Sequence, residues 1–255
     1  MITLHQTIRE IALEQPYSIR VFERFGIDYC CGGRKPLGEA CMANGLSTDE
    51  VMAALDSAAN SAAPIPVNWS QATLRQIIEH IVATHHSYVK KELPRLALLA
   101  QKVVNRHGDT QPHLPAIQNT LAQLDDELTH HLAKEENILF PYVAALEAAQ
   151  VSGSAYPDAC FGAVTNPIAM MTSEHEGAGA LLAAIQSLSG NFVPPVGACP
   201  TYHAFYTGLR EFQQDLHQHI HLENNILFPR AIDLDSFGQM PQFEASASSW
   251  GRAQA

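Results

Sequence analysis

Two segments, EENILFP at residues 135–141 and ENNILFP at residues 223–229, repeat one pattern and organise the rest of the chain. A histidine lies four residues before each leading glutamate, at His131 and His219. A further histidine, His86 or His175, precedes each of these at nearly the same distance along the chain. This repeat indicates that the chain contains the same helical hairpin twice.

The apolar residues around these histidines have the spacing of buried helix faces. Residues four apart lie on one face of a helix, so each His-x-x-x-Glu pair aims an imidazole and a carboxylate in the same direction. The seam predicted for the second bundle helix is Ile117, Leu121, Leu124, Leu128, His131, Glu135, Ile138 and Tyr142. The seam of the third is Ile168, Met171, His175, Ala178, Leu182 and Ile185, and that of the fourth is Phe205, Leu209, Phe212, Leu216, His219, Glu223 and Ile226. These polar residues are therefore predicted to point into the core of a four-helix bundle.

The first bundle helix offers two adjacent candidates, His85 and His86. His85 shares its stripe with Glu92 and Arg95, two charged residues. The continuous apolar seam on this helix is Val82, His86, Val89, Leu93 and Leu96. We therefore select His86.

A metal centre explains why four histidines and two glutamates would occupy one core. Each buried polar group without a partner costs roughly 1–3 kcal/mol, and an unpaired charge costs more. Six ligands exceed the needs of one tetrahedral zinc but suit two ions that share both carboxylates as bridges. Each ion would take two imidazoles, two bridging oxygens and an exchangeable position or an oxo bridge, and iron is the leading candidate. The predicted ligands are His86, His131, Glu135, His175, His219 and Glu223.

Other readings of these residues remain open at the level of sequence. A histidine on an apolar seam can be a hydrogen-bonded core residue, and the bundle could be structural and hold no metal. His217 and His221 have the same spacing, but their stripe carries polar residues, so a solvated face or an outer position around the metal is expected for them. Flanking residues rotated away from the seams are expected to be outer partners of the ligands or surface residues; these are His130, Glu136, Glu174 and Glu176.

The composition excludes several classes of partner. The 255 residues carry a net charge of −11, with only 15 lysines and arginines, which argues against binding to nucleic acid or to an anionic membrane. The first residues lack the pattern of a signal peptide, and no stretch is apolar enough to span a bilayer. The five cysteines are an odd number and favour reduced thiols. A cytoplasmic location is therefore expected.

Segments that contain proline or glycine divide the chain into four parts. Residues 1–56 are predicted to form a small helical domain, in which Gly26 ends the second helix in a left-handed conformation. A domain of this size has a marginal core, so it should lean on another surface or dimerise. A linker at 57–69, the bundle at 70–232 and a flexible tail at 233–255 should follow, with a kink or restart at Pro94.

The chain resembles the iron–sulfur cluster repair (RIC, ScdA-type) di-iron proteins, which have a haemerythrin-like fold. The resemblance rests on VFERFGIDYCCGG near the amino terminus, followed by EAC, and on the two HxxxE…LFP segments, and it extends to about Arg230. It implies an all-α fold, with an antiparallel four-helix bundle preceded by a small helical domain. It also implies a non-haem di-iron centre held by the six residues above.

The resemblance further implies a homodimer and the repair of iron–sulfur clusters damaged by nitric oxide and oxidants. Iron–sulfur proteins would be the clients, with nitric oxide or oxygen as small ligands. Iron donation fits a non-enzymatic repair protein. The alternatives are a carrier or sensor that only binds oxygen or nitric oxide, and a di-iron nitric oxide or peroxide reductase that needs an external electron donor.

The adjacent Cys30 and Cys31 precede two glycines that would permit close approach of another molecule. Arg34 and Lys35 nearby should favour their thiolates, so the pair is a candidate thiol relay that accepts iron or exchanges with a disulfide or nitrosyl group. The alternative is a buried turn with inert sulfurs. Cys41 is expected to be a core residue, and we assign no role to Cys160 or Cys199.

Overall fold

The computed structural model describes residues 2–60 and 67–238. Within these ranges the chain is helical, apart from turns and one isolated bridge between Thr7 and Pro36. This confirms the all-α class predicted from the sequence. The middle of the predicted linker, at 61–66, and the tail from 239 onward lie outside the described residues.

The amino-terminal module contains four short helices around its own apolar core. The first opens with a capping box, in which Thr7 accepts a hydrogen bond from the Glu10 N–H and the Glu10 side chain accepts one from the Thr7 N–H. Gly26 ends the second helix with φ of 66°, as predicted. The helices are α1 (Ile8–Glu14), α2 (Ser18–Phe25), α3 (Leu37–Ala43) and α4 (Thr48–Ala59).

Four helical rods form the bundle, and three of them contain a π-helical segment. α6 packs against α7 and α10, while α9 packs against α7 and α10, which closes the bundle. The connections between successive rods are short enough to make neighbouring rods antiparallel. The first rod is α5 (Leu74–His80), π1 (Ile81–His86) and α6 (Ser87–His107), and the second is α7 (His113–Lys134), π2 (Glu135–Leu139) and α8 (Phe140–Ser152). The third is α9 (Thr165–Leu188), and the fourth is α10 (Pro200–Leu222), π3 (Glu223–Leu227) and α11 (Phe228–Gly238).

Helices continue through two of the predicted boundaries. α4 extends to Ala59, past the predicted domain end at 56, and its last residues, Ala58 and Ala59, favour helix. α11 extends to Gly238, past the predicted start of the tail at 233. Asp235 anchors this last turn, because its carboxylate accepts hydrogen bonds from the Tyr142 hydroxyl at 2.9 Å and the Val164 N–H at 3.1 Å.

The predicted restart at Pro94 does not occur, and α6 continues through this residue. Proline removes the hydrogen bond to the carbonyl of Lys90. Pro94 lies on an exposed face of the helix, so water can hydrate the freed carbonyl. The first rod departs from α-helical geometry earlier instead, at π1.

The π-helical segments shift the buried face by one residue, which corrects part of the predicted seams. In π2 the Phe140 N–H bonds to the Glu135 carbonyl, five residues back. The buried residue after Glu135 is therefore Leu139, while Ile138 is 49% exposed. The same shift occurs in π1, where Ile81 is fully buried and Val82 only partly.

The bundle core has two apolar clusters with a polar layer between them. One cluster extends from Val89 and Leu132 through the far half of the bundle. The other contains Ile81, Leu139 and Phe140 together with residues of α5, α8 and α11. The predicted ligands occupy the layer between the clusters, where water has little access.

The amino-terminal module packs on the bundle of its own chain. Asn225 in π3 donates from Nδ2 to the Tyr29 carbonyl at 3.0 Å, and its own carbonyl accepts from Arg9 Nη2 at 3.1 Å. The Tyr29 ring also lies against His221 of α10, with ring centroids 5.4 Å apart. The module therefore packs against the bundle, which adds contacts that its small core does not provide.

Candidate metal centre

Six polar side chains converge in the layer between the two apolar clusters. None of them is more than 3% exposed. Each rod supplies at least one, and the π segments or the turns that adjoin them supply all but His175. They are His86, His131, Glu135, His175, His219 and Glu223, the set predicted from the sequence.

These side chains form two groups that share both carboxylates. One group is His86, Glu135, His219 and Glu223, and the other is His131, Glu135, His175 and Glu223. Within each group, one potential ligand atom per residue lies within 4.8 Å of all the others. The two Nε2 atoms are 3.1 Å apart in the first group and 3.0 Å apart in the second. Each group therefore presents two imidazole nitrogens and two carboxylates to one point.

The carboxylates lack the hydrogen bonds that burial normally requires. Neither oxygen of Glu135 has a hydrogen-bond partner, and the same is true of Glu223 Oε2. A buried carboxylate without donors needs a cation instead. Two carboxylates surrounded by four imidazoles suit iron and other borderline transition metals, so the donor set fits this group.

The imidazoles and carboxylates strongly shift each other's pKa values. Burial and the charge of Glu223 act to raise the pKa of Glu135, but His131 and His86 outweigh them and hold it below its ordinary value. Burial acts to lower the pKa of His86, whereas Glu135 and Glu223 raise it to about 10. The same opposition raises the pKa of His131 to about 9. The negative charge of the layer thus attracts protons when no metal cation is bound, and a metal ion would compete with these protons.

Outer residues orient three of the four imidazoles. The Nδ1 atom of His86 lies 2.7 Å from Glu136 Oε1, which also accepts from Lys90 Nζ. The Nδ1 atom of His131 lies 2.8 Å from Glu174 Oε2. An Nδ1–H bond to a carboxylate leaves the Nε2 lone pair free for a metal. Glu136 and Glu174 are therefore partners of the candidate ligands, one of the two roles predicted for them.

The remaining imidazoles differ from each other. The Nδ1 atom of His175 lies 2.9 Å from Asn224 Oδ1, a partner that the sequence reasoning did not identify. The Nδ1 atom of His219 is buried without a hydrogen-bond partner, and its ring stacks on His85 with centroids 5.7 Å apart. His130, by contrast, is exposed and bonds to the Asp126 carbonyl.

His85, the residue adjacent to His86, is also buried. His85 is only 4% exposed, and its Nδ1 atom lies 3.0 Å from Asp215 Oδ1. Glu92, on the same stripe, is also buried and pairs with Arg95. Because π1 is wider than an α-helix, two adjacent histidines can both face inward. His85 nevertheless belongs to neither ligand group.

A solvated face is wrong for His221, whereas His217 is partly exposed. His221 is 3% exposed, and burial lowers its pKa to about 4. Asn225 Nδ2 lies 2.9 Å from its Nδ1 atom, and Tyr29 packs against both histidine rings. The amino-terminal module covers this face, which the period of one helix cannot indicate.

The cysteines are all free thiols. Cys41 is fully buried in the core of the amino-terminal module, as predicted. Cys30 is 5% exposed, and Cys31 beside it is partly exposed. The thiolate expected at Cys30 is not favoured, because its contact with Cys31, burial and the charge of Asp28 raise its pKa well above the ordinary value. Arg34 and Lys35 do not counter these effects, since both are exposed.

Across the described ranges, no helix is both long and apolar enough to cross a bilayer.

Comparison with known proteins matches both parts of the chain to protein families. A family model described as "Hemerythrin HHE cation binding domain" matches residues 77–231, and one described as "Domain of Unknown function (DUF542)" matches residues 4–59. The relatives include proteins named iron–sulfur cluster repair protein YtfE from Escherichia coli O81 (strain ED1a), Escherichia coli O1:K1 and Escherichia fergusonii. Each is 39% identical over 228 residues, which cover 89% of this chain and 96% of the relative. The chain therefore belongs to the family of iron–sulfur cluster repair proteins, in which this amino-terminal module precedes a hemerythrin-type cation-binding bundle.

Proposed function

We propose that this chain holds two iron ions and takes part in the repair of iron–sulfur clusters. His86 and His219 would hold one ion, His131 and His175 the other, and Glu135 and Glu223 would bridge them. The observation that carries the proposal is that both ligand groups use the same two buried carboxylates, whose oxygens largely lack hydrogen-bond donors. One ion would leave one histidine pair unused.

The side chains around the centre would hold the ions in an exchangeable state. Bound iron supplies a ferrous–ferric couple and open coordination positions. Four neutral imidazoles and only two carboxylates leave a net positive charge on two ferrous ions, which favours the ferrous form and permits release. Glu136 and Glu174 fix the histidine tautomers, and the two apolar clusters limit the access of water.

Iron is also the proposed cargo. The relatives are named as iron–sulfur cluster repair proteins, and we propose the same role here, with iron–sulfur proteins damaged by nitric oxide or oxidants as clients. Nitric oxide or oxygen would be small ligands of the centre. The family resemblance also implies a homodimer, which light scattering of the full chain after size-exclusion chromatography would test.

The experiment uses the full chain purified without oxygen and loaded with ferrous iron. We expect about two iron ions per chain and a Mössbauer spectrum of a coupled pair. Incubation with an apo cluster protein, sulfide and no other iron source should then restore the cluster of the acceptor.

The outcomes separate the proposed role from its alternatives. Reversible binding of nitric oxide without transfer of iron would favour a carrier or sensor. Steady reduction of nitric oxide with a supplied reductant, again without transfer, would favour a reductase. A chain that retains no iron after loading would contradict every one of these functions.

A further inference from the structure

The loop that carries Cys30 and Cys31 has a defined structure built around Asp28. Asp28 Oδ1 accepts hydrogen bonds from the N–H groups of Cys30 at 2.9 Å and Cys31 at 3.0 Å, and Oδ2 accepts one from Gly32 at 2.8 Å. A Cβ atom on Gly33 would lie 2.8 Å from the Tyr29 carbonyl oxygen, so a larger residue would force the turn open. The loop therefore holds both sulfurs in place.

The two sulfurs have the separation of two ligands on one metal ion. Cys30 Sγ and Cys31 Sγ are 3.8 Å apart, and Cys30 Sγ lies 3.3 Å from Asp28 Oδ1. A tetrahedral ion with metal–sulfur bonds of about 2.3 Å places its sulfurs ~3.8 Å apart. The pair could thus chelate a soft or borderline cation with little movement.

The surroundings suit an ion in transit. Two cavities, of about 600 and about 260 Å³, are both lined by Cys30 and Cys31. The smaller cavity also contains Arg9 and Arg34, and Arg9 Nε is buried without an acceptor. A divalent ion with two thiolates is neutral overall, and the Arg9 guanidinium adds a positive charge at the wall of the smaller cavity.

The cysteine loop adjoins one half of the candidate iron centre. Cys31 Sγ lies 3.9 Å from the carbonyl oxygen of His175. Asn224, which contacts His175 Nδ1, lines the smaller cavity, as does Phe228, whose ring stacks on that of His175 with centroids 5.9 Å apart. None of the six candidate ligands lines either cavity, so Asn224 and Phe228 separate the smaller cavity from His175. The loop therefore lies beside the half of the centre that contains His175.

We propose that Cys30 and Cys31 form a dithiolate transit site, which receives ferrous iron from the His131–His175 position and passes it to an acceptor. This inference rests on the function proposed above. The oxidation state of the iron does not change. Two iron–sulfur bonds form as the bonds of the ion to His131, His175 and the two shared carboxylates break, and the two thiol protons pass to the vacated imidazoles or to solvent.

The small number of protein ligands at this site suits transfer rather than storage. The groups of three or more metal-binding side chains found among the described residues do not include Cys30 or Cys31. An ion on the pair, with Asp28 beside it, would keep open positions for the thiolates or sulfide of an acceptor. The bundle, in contrast, would enclose its ions on all sides.

Cadmium tests the site without any measurement of activity. Cd²⁺ titrated into the reduced, metal-free full chain should give near-ultraviolet sulfur-to-metal charge-transfer absorption, which nitrogen and oxygen ligands in the bundle do not produce. The double variant Cys30→Ser/Cys31→Ser should lose this absorption. Cys160→Ser, which changes an exposed cysteine outside the site, should retain it. Retention of the absorption in the double variant would overturn the dithiolate site.

Iron transfer tests the route. The ferrous-loaded double variant should bind as much iron as the native chain but deliver it to an apo cluster protein roughly tenfold more slowly or worse. Cys31→Ala, at a partly exposed position, provides a second variant if the double variant folds poorly. Equal transfer rates at equal iron content would overturn the transit role and leave the repair function intact. Absence of transfer from the native chain, with the cadmium signal present, would contradict the repair function and the transit role and leave only the dithiolate site.

Discussion

Replacement of Glu135 by leucine should release both iron ions, whereas replacement of His86 should release only one. Glu135 belongs to both ligand groups, while His86 belongs to the first alone. A unit charge pair ~4 Å apart is worth about 4 kcal/mol at an effective dielectric constant of roughly 20. Loss of the Glu135 carboxylate should therefore lower the affinity of the chain for each ion by about a thousandfold, since 1.4 kcal/mol of binding free energy corresponds to about tenfold in affinity.

The assay is iron content after anaerobic loading and desalting, combined with Mössbauer spectroscopy. The Glu135→Leu chain should fall from about two ions to well below one, and the His86→Leu chain should keep about one ion without the signature of a coupled pair. Glu127→Leu is the matched control, because Glu127 lies on α7 two turns before Glu135 and is exposed. Circular dichroism of each variant checks that the bundle is folded. Full retention of iron by Glu135→Leu, or equal losses in the two ligand variants, would refute the bridging arrangement.

Three further predictions concern the outer residues, the π segment and the docking of the module. Glu136→Gln should lower the affinity for one of the two ions by roughly 10–100-fold, because Glu136 orients only His86. Stepwise iron titration should therefore show one site of unchanged affinity and one site of lower affinity. Leu139→Ala should lower the free energy of unfolding by roughly 2–5 kcal/mol, whereas Ile138→Ala at the exposed position should change it by ~0.5 kcal/mol at most, as urea denaturation would measure; the reverse order would contradict the shifted seam. Asn225→Ala removes the donor to the Tyr29 carbonyl and should weaken docking of the module by about 1–3 kcal/mol, visible as faster hydrogen exchange in residues 4–59; unchanged exchange there would contradict the docked arrangement.

Much of the candidate centre could be predicted because its ligands are separated by spacings that a single helix determines. A histidine and a glutamate four residues apart share a helix face, and the repeat of this pair identified the two helices that carry it. An apolar seam then indicated which face is buried, so His86 and His175 followed without structural information. The all-α class followed from the same periodicity.

The burial of individual residues was predicted wrongly where the helix departs from α-helical geometry or where a distant part of the chain covers its surface. The seam beyond Glu135 was predicted at Ile138 because an α-helical period was assumed, but the Phe140 N–H bonds five residues back and moves Leu139 into the core. The burial of His85 and His221 could not be read from their own helices, because the groups that contact them, Asp215 and Tyr29, lie far away in the sequence.

The sequence by itself determined the fold class, the repeated hairpin and the identity of the six convergent side chains, because each depends on contacts within one helix or on a repeated pattern. Only the tertiary structure decided which two histidines belong to each ligand group, which outer residues hold three of the imidazoles, and that the cysteine loop lies beside His175. These features depend on distances between residues remote in the chain, and the period of a single helix carries no information about such distances.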